Sequence, residues 1–185
     1  LDGPKSTTPT LSSSRLRTMP SRPESLVVSC STNKTSQTAT VGEWYTGNLK
    51  GKSFKLGSQE NIELVKKVAA AYNAMDAEKL ITYFSEDAKI YVHSGEELQV
   101  SLALYESYFA SVDSLLWVPH GMSTQTLEDD SIAVVSIPSS DTRYFKEQQT
   151  QSSFLFERFW IVEGKITTIV QYKREFPKNY DQIEL

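Results

Sequence analysis

Two histidines, one cysteine and a scatter of carboxylates carry most of the reactive chemistry this sequence offers. His93 closes an alternating run, Ala88 to His93, with Ile90 and Val92 on one side and Lys89, Tyr91 and His93 on the other. An imidazole titrates near neutrality and can shuttle protons, although a lone histidine at a strand end is more often a surface or packing residue. His120, between Pro119 and Gly121, belongs at a bend. Asp87 closes a helix–strand turn and reads as structural. Cys30 has no second thiol to pair with, and it sits in a Ser/Thr-rich tail unsuited to nucleophilic catalysis. One thiol and two histidines do not make a structural zinc site, so no metal is expected. There is no Ser-His-Asp order, phosphate-binding loop or dinucleotide glycine pattern, and no cofactor is expected.

The chain has 185 residues, a formal charge of −4, 39% hydrophobic and 11% aromatic residues. That is enough apolar material for one core. The acidic balance lacks the phosphate attraction that supplies most non-specific nucleic-acid affinity, so no nucleic-acid partner is expected. No run reaches the roughly 18 apolar residues that cross a bilayer.

Residues 1–57 read as a flexible Ser/Thr/Pro-rich tail and linker, too poor in apolar residues to offset the entropy of ordering, at least to about residue 40. Within it Leu26-Val27-Val28-Ser29-Cys30, followed by Ser31 and Thr32, resembles a bacterial lipobox. The resemblance implies lipidation at Cys30 and a periplasmic or membrane-anchored lipoprotein; without it the expected location is cytoplasmic. Ser21, Arg22, Pro23, Glu24 and Ser25 depart from the pattern, because a leader needs about 7–15 apolar residues before cleavage. Between 41 and 57 the glycines argue for turns, with Trp44 and Tyr45 packing on the domain edge.

From Ser58 the pattern becomes that of a packed domain. Ser58 is placed as a helix N-cap, and Ile62, Val65, Val68, Tyr72 and Met75 recur at helical spacing. Asp76 caps a short helix from Ala77 to Phe84, and a third helix is expected from Ser101 to Val112. Strands are expected at Ala88–His93, Leu115–Leu127, Ser131–Ile137, Gln149–Val162 and Lys165–Arg174, the last two joined at Glu163-Gly164. Helices followed by a meander give an α+β fold.

The run Ala71-Tyr72-Asn73-Ala74-Met75-Asp76-Ala77-Glu78-Lys79-Leu80, then Tyr83-Phe84-Ser85-Glu86-Asp87-Ala88, resembles the signature of the SnoaL-like, nuclear-transport-factor-2-like superfamily. Trp160-Ile161-Val162-Glu163-Gly164-Lys165-Ile166 resembles that family's last hairpin, and the likeness extends over about residues 58–176. It implies a domain at 58–185 with three N-terminal helices packed on a strongly curved, mostly antiparallel sheet, forming a cone with a pocket. It also implies that acid/base side chains inside the cone would carry any catalysis, and that the open sheet pairs into a homodimer.

Aligning that hairpin with the ketosteroid isomerase pattern puts Ser153, Leu155, Glu157, Phe159 and Ile161 on the inner face, with Ile169, Gln171 and Lys173 beside them. Glu157, between Leu155 and Phe159, is then a carboxylate whose pKa burial would raise, and the candidate general acid/base together with His93. An ion pair with Arg158, Arg174 or a loop lysine on a solvated face is the competing reading. Tyr72, Tyr83, Tyr91, Trp117, Ser153, Phe159 and Gln171 are the candidate ligand contacts, although such aromatics also serve as core. The isomerase's oxyanion tyrosine and catalytic base fall on Val68 and Val92, and its protonated acid on Ser153, which rejects steroid isomerisation by that mechanism. Binding of a small apolar or amphipathic molecule ranks first, ahead of a cyclase, isomerase or dehydratase using Glu157, and of a dimeric interaction domain.

Overall fold

The computed structural model describes residues 39–145 and 149–175; Cys30 and the lipobox-like run lie outside them. The described chain is α+β, a mostly antiparallel sheet with three α-helices. Strands β1 (Thr40–Glu43) and β2 (Ser53–Leu56) form a hairpin, so the sheet begins before Ser58 and takes in part of the stretch read as linker. Trp44 packs edge-on against Phe54 and Trp160, at 5.8 and 5.4 Å between ring centroids, with the Arg158 guanidinium over both indoles. Tyr45 stays exposed.

Helix α1 (Gln59–Asn73) buries Val65, Val68, Ala69 and Ala71. The residue after its C-cap Ala74, Met75, takes φ 52°, and Asp76 then caps α2 (Ala77–Ile81) by accepting from Lys79 N at 2.9 Å. Helix α2 ends three residues before the expected Phe84, because β3 (Phe84–Tyr91) starts there. The short strand β4 (Glu97–Gln99) follows and was not foreseen. Helix α3 (Leu102–Ala110) is capped by Ser101 and buries Tyr105 and Phe109.

The rest is strand: β5 (Ser114–Pro119), β6 (Ser123–Leu127), β7 (Ala133–Tyr144), β8 (Thr150–Val162) and β9 (Lys165–Glu175). The sheet order is β1-β2-β6-β7-β8-β9-β3-β4, with β3 parallel to β9 and β5 paired to β7. One edge of β7 is shared between two partners, β6 along Ala133–Ser136 and β5 along Ser139–Tyr144. The expected single strand Leu115–Leu127 is thus broken at residues 120–122, where His120 N donates to Pro138 O at 2.8 Å. Pro138 falls at the changeover, the place in β7 where a missing N–H costs no ladder bond.

Residues 155, 157, 159 and 161 of β8 alternate buried with half-buried or exposed neighbours. Their face meets the helices in the main core with Val135, Ile137, Ile166 and Ile169. A smaller cluster of Phe54, Leu127 and Val134 lies under the first hairpin.

Candidate functional site

A cavity of about 310 Å³ opens between the helices and the inner sheet face. Its wall is largely apolar, with Ile90, Val92, Leu98, Leu104, Leu155, Phe159 and Ile169. The polar groups are Glu157 and Gln171 with the Trp117 indole, the Asp141–Arg143 pair, Tyr72, Tyr105 and Tyr108, and at the mouth His93, Ser94 and Glu96.

Glu157 and Gln171 reach one another because their strands are held in one register. Glu163 (φ 50°) and Gly164 (φ 73°) form a two-residue turn with both φ positive, the geometry of a tight hairpin. A bulge between Trp160 and Ile161 then shifts the pairing, so that Trp160 faces Thr168 and Glu157 faces Gln171. Without that shift Gln171 would point to the other face.

Glu157 is buried to 3% exposure and accepts three hydrogen bonds. Gln171 Nε2 donates to Oε1 at 2.8 Å, while Trp117 Nε1 and the Ser139 hydroxyl donate to Oε2 at 2.8 and 3.0 Å. Burial pushes its pKa above the ordinary carboxyl value, the nearby Asp141 charge adds to this, and the three donors oppose it. Arg158, the competing ion-pair partner, lies on the opposite face between Trp44 and Trp160.

Trp117 is itself pinned. Asn73, the last residue of α1, gives its amide to both backbone groups of Trp117: Oδ1 accepts from N at 2.7 Å and Nδ2 donates to O at 2.9 Å. The side chain thereby stands in for a neighbouring strand on the open edge of β5. The indole of Trp117 packs on Phe159 at 6.2 Å.

Beside this group Asp141, 1% exposed, accepts from Arg143 Nε at 2.7 Å. Burial raises the Asp141 pKa, while the charges of Arg143 and Lys173 pull it down. The Arg143 guanidinium lies 5.3 Å from the Tyr108 ring centre, and the Tyr72 and Tyr108 hydroxyls meet at 2.9 Å. Burial holds both phenols above their ordinary pKa.

Of the residues singled out in the sequence, Glu157, Gln171, Tyr72, Trp117, Phe159 and His93 line this one cavity. Tyr83, Tyr91 and Ser153 are not among its lining residues. Tyr91 is one position out of phase with Ile90 and Val92 and faces outward, near Glu97. Tyr83 sits in the turn after α2, packed against the core, and Ser153 is buried further along β8. Lys173 is half-buried. His120 stacks on Phe154 at 6.0 Å, away from the cavity. Val68 is core and Val92 is wall, so neither supplies acid/base chemistry. Ser139, Asp141 and Arg143 were missed because Pro138 reads as the end of a strand that continues to Tyr144. Tyr105 and Tyr108 had a helical period but no signal beyond it. Among the described residues no three His, Cys, Asp or Glu side chains gather as a metal site. No described helix is long and apolar enough to cross a membrane.

An LEH-like epoxide hydrolase from M. tuberculosis superposes with a TM-score of 0.53 at 13% identity, over 63% of this chain and 84% of its own. A ketosteroid isomerase-like protein from Erwinia carotovora matches at 0.52 and 13%, over 62% and 94%. An uncharacterised cystatin-fold protein from Novosphingobium aromaticivorans matches at 0.51 and 17%, over 60% and 96%. The chain has the SnoaL-like, nuclear-transport-factor-2-like fold. No family model and no curated protein matches the sequence. At these identities the likeness carries the fold, and the chemistry rests on the residues present in this chain.

Proposed function

We propose that the cavity is the active site of an acid–base enzyme acting on a small, largely apolar molecule, with Glu157 as the proton-exchanging group. The observation that carries this reading is a buried carboxylate, its pKa raised, lining an apolar cavity together with a second carboxylate, an arginine and a tyrosine pair. A site that only holds an apolar ligand needs one polar group or none; this one gathers several, and low dielectric strengthens each of them. Trp117, Ser139 and Gln171 hold the carboxylate in place and, through their hydrogen bonds, set its basicity.

Proton abstraction is testable without knowing the natural substrate. 5-Nitrobenzisoxazole loses the C–H proton of its isoxazole ring to a base as the N–O bond breaks, giving a coloured cyano-nitrophenolate. The wild-type protein should open it above the buffer rate, faster as pH rises and Glu157 ionises. Glu157→Gln should lose about 100-fold of that excess. An excess rate unchanged in Glu157→Gln would refute the assignment.

The three protein donors on Glu157 favour a second reading, a binding module in which the carboxylate is an internal hydrogen-bond anchor and nothing is turned over. A homodimer formed through the outer sheet face belongs to either reading. Its support is the exposure there of Leu116, Val118, Phe156 and Tyr172.

A further inference from the structure

Asp141 Oδ1 is a feature of the cavity that the acid–base reading leaves unused. Its partner oxygen is occupied by Arg143, yet Oδ1 has no hydrogen-bond donor, alone among the buried side-chain polar atoms of the described residues. The residue is 1% exposed and lines the cavity. A bare buried acceptor is costly, and its cost is removed when a donor arrives.

A donor need stands close to a spare donor. Tyr72 and Tyr108 carry two phenolic protons, and their mutual contact uses one of them. No described hydrogen bond from either hydroxyl goes to Asp141, although the Asp141 charge is near enough to raise both phenols. This end of the cavity therefore presents an unfilled acceptor and an uncommitted O–H. A ketone or ether oxygen only accepts, and an ammonium only donates. A hydroxyl does both.

We propose that the cavity takes a molecule with an apolar body and a hydroxyl group, and that Asp141 Oδ1 accepts the hydrogen bond of that hydroxyl. The inference rests on reading the cavity as a small-molecule site and gives Asp141 a binding role. Arg143 fixes the arrangement: by engaging Oδ2 it leaves Oδ1 as the oxygen without a donor. In Asp141→Asn the amide oxygen stays with Arg143, so an NH₂ replaces the acceptor.

The test uses the full chain and two probes of similar shape, 2-naphthol and naphthalene, with affinities measured by calorimetry. The cavity lies at the low end of the roughly 300–1,000 Å³ of ligand pockets, matching bicyclic probes. Wild-type protein should bind 2-naphthol at least about tenfold more tightly than naphthalene, because only a partnered hydroxyl repays its desolvation. Asp141→Asn should remove that preference while keeping naphthalene affinity within about twofold. Should Asp141→Asn fail to fold, the crystal structure of the wild-type protein with 2-naphthol decides. Equal binding of the two probes, a preference that survives Asp141→Asn, or no binding of either overturns the proposal. So does a crystal structure with 2-naphthol in which a water, and not the probe, meets Oδ1. None of these readouts depends on turnover, so failure of the Glu157 assignment is recognised separately.

Discussion

Glu157 is pulled in opposite directions by its surroundings, burial favouring the neutral acid and three donors favouring the anion. With burial ahead, the folded protein keeps the proton at a pH where the unfolded chain has lost it. Stability then falls as pH rises from the ordinary carboxyl value to the raised one, and the loss is complete above the latter. Asp141, also raised, acts with the same sign. Glu157→Gln removes one titration and keeps the shape, since Gln171 can turn its amide to meet the new one. In urea unfolding the variant should gain stability relative to wild type between about pH 4 and neutrality. A gap between the two proteins that does not change with pH would mean Glu157 is not raised.

Two short devices hold the elements that bring these side chains together. Asn73 replaces a strand partner along β5, and Asn73→Ala strips both backbone groups of Trp117 of their bonds. A loss of about 2 kcal/mol in chemical denaturation is expected, with a changed indole environment for Trp117. A loss within experimental error would show that the amide is replaced by water. Asp76 caps α2 through Lys79 N, and Asp76→Ala should cost about 1 kcal/mol on the same scale. Both residues were visible in the sequence as parts of the run from Ala71 to Leu80 that joins the first two helices, but the partner of Asn73 was not. The last hairpin was legible because its turn residues and alternation survive in the sequence, and the family pattern carried the register across the bulge. β7 was not. Pro138 looked like a strand end, and only the switch from β6 to β5 explains how the strand passes through it to deliver Ser139, Asp141 and Arg143. The first hairpin was read as linker because its glycines dominate; Gly47 and Gly51 do turn the chain, at φ 64° and 81°, but between two strands.

At the scale of the molecule, one sheet face is covered by helices and its reverse carries Leu116, Val118, Phe156 and Tyr172 in the open. Phe156 and Tyr172 are direct cross-strand partners, with ring centroids 6.5 Å apart. If copies of the chain associate there, sedimentation equilibrium should give a dimer for wild type and a monomer for Phe156→Lys with unchanged circular dichroism. A wild-type monomer would remove the dimer from the account.

Carbon-13 titration of the glutamate carboxyls, comparing wild type with Glu157→Gln, tests the central claim most directly. The account predicts one carboxyl resonance that titrates clearly above the usual glutamate value of about 4.3 and is missing from the variant. A Glu157 resonance titrating at or below that value would contradict it, leaving a buried anion anchored by three hydrogen bonds and no proton for the site to exchange.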